Sequence, residues 1–151
     1  MLTRHELTAS FPELHGQTVE RLTLRLCHAP GAADDVAVGL LKLRGGRWHR
    51  FFLDVDVLFW DEQQDLDPED LDVASADPEV RFELRDVAGA AGRTLEAVVM
   101  HQAAAGGRLV LYFDNQDALC FQGVDAGTGT ERTAMEWLHG VAAPARKKRR
   151  R

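Results

Sequence analysis

Apolar and polar side chains alternate with a period of two along most of the chain after Thr18. This pattern is typical of strands that turn one face to a core and the other to water. The leucines at 22, 24 and 26, for example, share one face and alternate with Arg21, Thr23 and Arg25. The alternation predicts seven strands, at Val19–Cys27, Val36–Leu43, Arg47–Trp60, Val80–Val87, Thr94–Gln102, Arg108–Asp114 and Ala118–Val124.

Turn-forming residues separate most of these segments. The pair Gly45-Gly46 predicts a tight hairpin, because glycine adopts the positive φ that such turns require. Between Asp61 and Glu79 the alternation stops and few apolar residues occur. We therefore expect a loop or a turn-rich insert there.

Two segments have features of helices. Thr128 followed by Glu131 fits a capping box, and Met135, Leu138 and Ala142 form an apolar stripe that Trp137 extends. Residues 2–10 predict a short first helix that ends near Pro12. The expected fold class is therefore α+β, mainly an antiparallel sheet of about seven strands with a C-terminal helix packed on it.

A chain of 151 residues is expected to form a single domain, residues 1–145, followed by a disordered basic tail, residues 146–151. It contains no apolar run of membrane-spanning length, and Met1–Glu6 is not followed by the apolar stretch of a secretory signal. The expected location is the cytoplasm, without membrane association. Cys27 and Cys120 lie in alternating apolar segments and are expected to be buried free thiols.

The charge is distributed unevenly along the chain. Six of the 18 basic residues form the tail Arg146–Arg151, so residues 1–145 carry 12 basic and 24 acidic groups, a net charge of −12. An acidic body repels nucleic-acid phosphates and attracts basic protein surfaces. These charges favour a basic protein partner over a nucleic acid. We expect the basic tail to promote solubility or to fold back on the acidic body.

The most acidic segment, Phe51–Val80, contains eleven carboxylates and no Lys, Arg or His. A calcium loop of the EF-hand type that began at Asp65 would need glycine at its sixth position and glutamate at its twelfth, where Asp70 and Ala76 stand. We expect instead an exposed acidic rim that binds a partner beside an aromatic anchor. The residues of this predicted site are Trp60, Asp61, Glu62, Asp65, Asp67, Glu69, Asp70 and Asp72.

Two alternatives remain open. The first is a small metal-dependent or acid/base enzyme that uses Asp54, Asp56 and either His49 or His101. The six histidines have none of the spacings of a zinc site, and no phosphate-binding or nucleophile motif occurs, so neither a metal, a cofactor nor a catalytic residue is assigned. The second alternative is a nucleic-acid accessory factor that acts through the basic tail.

Three segments resemble small, β-rich bacterial immunity proteins of polymorphic-toxin systems. The segment Phe11–Leu24, with an aromatic residue and His15 before the first strand, resembles their opening, and Leu109–Asp114 and Leu119–Gly123 resemble their closing strands. The resemblance implies a cytoplasmic, non-enzymatic inhibitor that binds a cognate toxin and blocks its active site. On that expectation the acidic rim would occupy a basic cleft of the toxin.

Overall fold

The chain folds into two antiparallel β-sheets that face each other. The computed structural model describes residues 3–5, 11–31, 33–54, 57–63, 65–71, 76–103, 106–125 and 131–144. Within these ranges there are two short 3-10 helices, Pro12–Leu14 and Pro68–Leu71, and no α-helix. The ten strands are Thr3–His5 (β1), Val19–His28 (β2), Asp35–Leu43 (β3), Trp48–Asp54 (β4), Val57–Gln63 (β5), Arg81–Asp86 (β6), Leu95–Ala103 (β7), Gly106–Phe113 (β8), Asp117–Asp125 (β9) and Glu131–His139 (β10).

The larger sheet, called sheet A below, has the strand order β1-β5-β4-β3-β2-β6, and the smaller sheet B has the order β10-β9-β8-β7. Strands β2 to β5 form a meander, as do β7 to β10. Strand β10 packs on β3, β9 on β4 and β8 on β5. The strands β2 and β6 of sheet A therefore extend beyond the edge of sheet B.

One hydrophobic core joins the two sheets. Alternate residues of β2, β3, β5, β7, β8 and β9 point into it, as the period-two pattern requires. Fully buried side chains of sheet A include Leu22, Leu41 and Leu58, and those of sheet B include Leu109 and Phe113. The central strands were therefore predictable from the alternation of their leucines.

The predicted C-terminal helix is wrong, and with it the α+β class. Residues 131–139 form β10, which pairs with all of β9 without a register shift. Met135 and Trp137 pack against the core between the sheets, and Leu138 packs on the opposite face of sheet B. The apolar residues of this segment fit both a helical stripe and the alternation of a strand. The segment forms a strand because its backbone pairs with the otherwise open edge of β9.

Two further segments differ from the prediction. The single strand expected at 47–60 is a hairpin of β4 and β5, although its apolar sequence contains no glycine or proline to mark the turn. Thr3–His5, expected in a first helix, pairs with β5 as β1, and residues 2 and 6–10 lie outside the described residues. The hairpin at Gly45 is confirmed, since Gly45 has φ of +68° between β3 and β4.

The connection between Gln63 and Arg81 reaches the outer face of sheet A. It starts at β5 and ends at β6, so it has to pass β4, β3 and β2, and sheet B occupies the inner face of β3 and β4. Glu69 of this connection reaches Arg21 of β2, with 3.5 Å between Oε1 and Nη2. We call its described residues, 65–71 and 76–80, the crossover connection; they lie in the most acidic part of the chain.

The two thiols are free, as predicted. Cys120 is buried on the outer face of sheet B, where Nε of Arg108 donates to its Sγ at 2.9 Å, and Cys27 is half-buried. Burial raises the pKa of both thiols. Among the described residues, no helix is long and apolar enough to cross a membrane.

Candidate functional site

The structure separates the residues of the predicted acidic site into a buried and an exposed group. Trp60 and Asp61 are only 5% and 4% exposed. Glu62, Asp65, Asp67 and Glu69 are exposed. Asp70 lies at the 3-10 helix of the crossover connection with its side chain outside the described residues, as is the whole of Asp72.

Trp60 belongs to the hydrophobic core and not to the surface. Its ring stacks between those of Phe11 and Phe51, at centroid distances of 4.7 and 5.1 Å. The indole Nε1 donates a hydrogen bond to Nδ1 of His49 at 3.0 Å. The expected exposed anchor at Trp60 is therefore wrong, because alternation along β5 turns residues 58 and 60 inward.

Asp61 is on the opposite face of β5 from Trp60, and its side chain is only 2% exposed. Nη2 of Arg50 and Nε2 of Gln63 both donate to Oδ2 of Asp61, at 2.9 and 3.1 Å. Nε of the same arginine is buried without a hydrogen-bond partner. This carboxylate therefore compensates a partly buried cation in the protein itself, and its expected exposed position is wrong.

The exposed carboxylates lie on or beside the crossover connection. Oδ1 of Asp67 accepts a hydrogen bond from the backbone N–H of Glu69 at 3.1 Å, which closes a tight turn. A hydrogen bond with the side chain of Glu69, and then this backbone bond, lower the pKa of Asp67. Pro68, between these two residues, is buried. The contact of Glu69 with Arg21 places this carboxylate at the outer face of sheet A.

An aromatic pair lies on the same outer face of sheet A. Phe52 of β4 and Phe59 of β5 are cross-strand neighbours, half-buried, and stacked with their centroids 4.7 Å apart. Their alternation partners Phe51 and Trp60 point into the core. The outer aromatic contact is thus supplied by Phe59 and not by Trp60, a distinction that depends on the position of the turn between β4 and β5.

The residues named for an enzyme do not come together. His49 is buried in the core, where burial lowers its pKa, and Asp54 is exposed at the end of β4. His101 lies on sheet B, with Nε2 at 3.0 Å from the hydroxyl of Tyr112, and burial lowers its pKa too. Asp56 lies outside the described residues. In the part of the chain that the structure describes, no three His, Cys, Asp or Glu side chains are grouped to hold a metal ion.

A groove, which the sequence did not predict, opens where β2 and β6 extend beyond sheet B. It has a volume of about 540 Å³, and we call it the inter-sheet groove. Its apolar lining includes Leu24, Leu26, Met135 and Trp137. Because a helix was expected at 131–139, this edge of sheet B could not be recognised, although Thr133, Met135 and Trp137 do alternate.

Charged side chains close one end of the groove in pairs. The ring nitrogens of His28 lie 2.8 Å from Oδ1 of Asp34 and 3.2 Å from Oε1 of Glu83. Nε of Arg85 donates to Oε2 of Glu83 at 2.7 Å, and this bond, with a weaker one from His28, lowers the pKa of Glu83. Each of these side chains therefore has a described polar partner at this end of the groove.

Arg132 differs from these neighbours. Its Nη1 donates to the backbone carbonyl of Asp34 at 3.0 Å, and no described carboxylate lies within ion-pair distance of its guanidinium. The next residue, Thr133, donates its backbone N–H to Oδ1 of Asp35 at 2.7 Å.

Comparison of the chain with protein-family models, with curated proteins and with solved structures found no match.

Proposed function

We propose that this protein is a non-enzymatic binding protein that recognises a basic protein partner through the outer face of sheet A. The observation that carries the proposal is the presence, on one face, of the exposed carboxylates Asp65, Asp67 and Glu69 and the half-buried aromatic pair Phe52 and Phe59. Aromatic side chains are enriched among residues that dominate binding energy, and surrounding charges steer the encounter.

The charge balance supports a basic partner. Glu69 is 64% exposed and contacts Arg21, whereas Asp65 makes no ion pair with any described residue. A net charge of −12 over residues 1–145 adds a long-range field of the same sign. A basic patch that docks here gains both the local contacts and faster association.

The specific partner we propose is a bacterial toxin domain, which makes the protein an immunity protein that acts in the cytoplasm. The resemblance of residues 11–24 to immunity proteins supports this choice, as does the acidic surface, which suits the substrate-binding cleft of a nuclease. The carboxylates would take the place of substrate phosphates in that cleft. Glu62, 52% exposed and 3.9 Å from Arg47, lies at the margin of this surface.

The test first asks whether a neighbouring gene encodes a basic, toxin-like domain, and its absence would count against the immunity role. Such a domain is then purified and mixed with the whole chain. A triple variant, Asp65→Asn with Asp67→Asn and Glu69→Gln, is expected to lower the association rate by about tenfold at low salt. The matched control, Glu96→Gln with Asp114→Asn and Glu136→Gln, changes the net charge equally at exposed positions of sheet B and its β8–β9 turn. Equal losses in both variants would show that net charge alone is responsible and would contradict the proposed surface.

The aromatic pair is tested separately. Phe59→Ala is expected to accelerate dissociation by about tenfold, with little change in the association rate, because short-range contacts act after the encounter. Val99→Ala, at a half-buried aliphatic residue on the outer face of sheet B, serves as the control. An unchanged dissociation rate in Phe59→Ala, or a complex that leaves the activity of the toxin domain intact, would reject the proposal.

A further inference from the structure

The inter-sheet groove borders the unpaired edge of β10. Thr133 directs its backbone N–H away from β9, to Asp35, and the register of β9 and β10 contains no shift. Backbone groups alternate in direction along a strand, so those of Met135 and Trp137 also point away from β9. Both residues line the groove, and no hydrogen bond from the described residues reaches these backbone groups.

We propose that the inter-sheet groove binds an extended segment of a partner protein, which adds to sheet B as a fifth strand beside β10. Only an extended backbone presents donors and acceptors at the spacing that an open strand edge requires. Alternate side chains of the added strand would then face Leu24 and Val87, which line the groove opposite. This site is on the inner side of sheet A and does not depend on the surface proposed above.

The dimensions of the groove suit one strand. The groove has a volume of about 540 Å³ between β10 and the residues of β2 and β6 that line it, which suits the side chains of one short strand. A second copy of this chain does not fit. If two copies paired through β10 about a two-fold axis, both larger sheets would lie on the same side, and their projecting β2 and β6 strands would occupy the same space.

The C-terminal segment of the described chain also leads away from the groove. Gly140 has φ of +70°, and the N–H of Val141 donates to the carbonyl of Gln116 at 2.8 Å. Val141 and Ala143 pack on the outer face of sheet B, the face opposite to the groove. A partner segment is therefore the occupant that the geometry favours over this part of the chain.

Charge complementarity gives the segment its chemistry. Arg132 lines the groove with a guanidinium that has a carbonyl acceptor and no carboxylate among the described residues. The other charged side chains at this end are paired with one another. The segment should therefore carry apolar side chains at alternate positions and a carboxylate at the end that meets Arg132.

The probe for this proposal is a phage-displayed library of random peptides of about twelve residues, selected on the full chain. We expect enriched peptides with alternating β-branched or aromatic residues and one acidic residue. N-methylation of alternate backbone amides in a selected peptide should lower its affinity at least about tenfold, whereas methylation of the intervening amides should have little effect. In the complex, the amide protons of Met135 and Trp137 should become protected from exchange.

Two variants complete the test. Arg132→Gln should weaken binding of the selected peptide by about tenfold, and Arg44→Gln, at an exposed arginine of the β3–β4 turn, should leave it unchanged. Met135→Pro removes one groove-facing N–H and should also weaken binding of the selected peptide. If this variant fails to fold, the affinities of the N-methylated peptides for the unaltered protein provide the test. No enriched peptide, or affinity insensitive to every methylation pattern, would overturn the proposal.

Discussion

Nε1 of Trp60 donates a hydrogen bond to Nδ1 of His49 at 3.0 Å inside the core, where His49 is 7% exposed. The acceptor nitrogen must be unprotonated, and burial lowers the pKa of His49. The unfolded chain takes up a proton at this residue below about pH 6.5, while the folded chain does not. We expect the free energy of unfolding to decrease as the pH falls below that value, measured by urea denaturation.

His101, whose pKa is also lowered, contributes to the same pH range, so the effect of His49 has to be isolated. In His49→Leu the unfolding free energy should be lower at pH 7, because the indole N–H loses its acceptor, and less dependent on pH between 7 and 5. His15→Gln changes an exposed histidine whose ring bonds to the backbone carbonyl of Glu96 and to no described carboxylate, and it serves as control. A His49→Leu profile parallel to that of the unaltered chain would contradict this role of His49.

Trp60→Ala is expected to destabilise the fold and not to act on a binding surface. The substitution removes the ring between Phe11 and Phe51, and loss of a buried aromatic side chain costs about 3–5 kcal/mol of unfolding free energy. Phe59→Ala, at its half-buried neighbour on β5, should cost about 1 kcal/mol. Chemical denaturation measures both, and equal losses would argue against the burial of Trp60 described here.

The pair of Arg50 and Asp61 should show strong coupling. Asp61→Leu leaves Arg50 without its compensating charge and is expected to cost about 3 kcal/mol or more. The double variant Arg50→Met with Asp61→Leu removes both charges and should recover most of that loss. A double-mutant cycle by denaturation measures the coupling, and strictly additive losses would show that the two side chains act independently.

Gly39 allows the ring of Phe51 to lie directly against β3. A Cβ at this position would overlap three atoms of that ring. Gly39→Ala should therefore cost about 1–3 kcal/mol through overpacking. Adding Phe51→Leu should reduce the effect of the alanine, since the smaller side chain frees the space; an undiminished effect in the Phe51→Leu background would point to the backbone instead.

The sequence was informative where one periodicity dominated. The leucines of β2 and the strands from residue 95 to 125 follow a single alternation, and their positions were predicted closely. At 131–139, Met135 with Leu138 fits a helix and Met135 with Trp137 fits a strand. Which pattern prevails depends on the partner strand β9, and that contact is not local to the segment.

The candidate site also combines features that the sequence predicts with features that depend on non-local contacts. The acidity of residues 51–80 was readable directly, but which aromatic residue faces outward depends on the parity of β5, which the unmarked turn after Asp54 determines. A shift of one residue exchanges every inward and outward side chain, so Trp60 and Phe59 exchange roles. The inter-sheet groove depends on how many strands each sheet has and could not be inferred from residue types.

The crossover connection also determines the order in which the sheet can assemble. Each hairpin from β2 to β5 closes a short loop, whereas β6 pairs with β2 across more than fifty residues, as Thr23 opposite Asp86 shows. Loop closure over this distance carries a larger entropic cost, and contacts of high sequence separation slow folding. We expect β6 to join a meander that is already formed, so that the transition state contains β2 to β5 and the edge beside the inter-sheet groove is completed last.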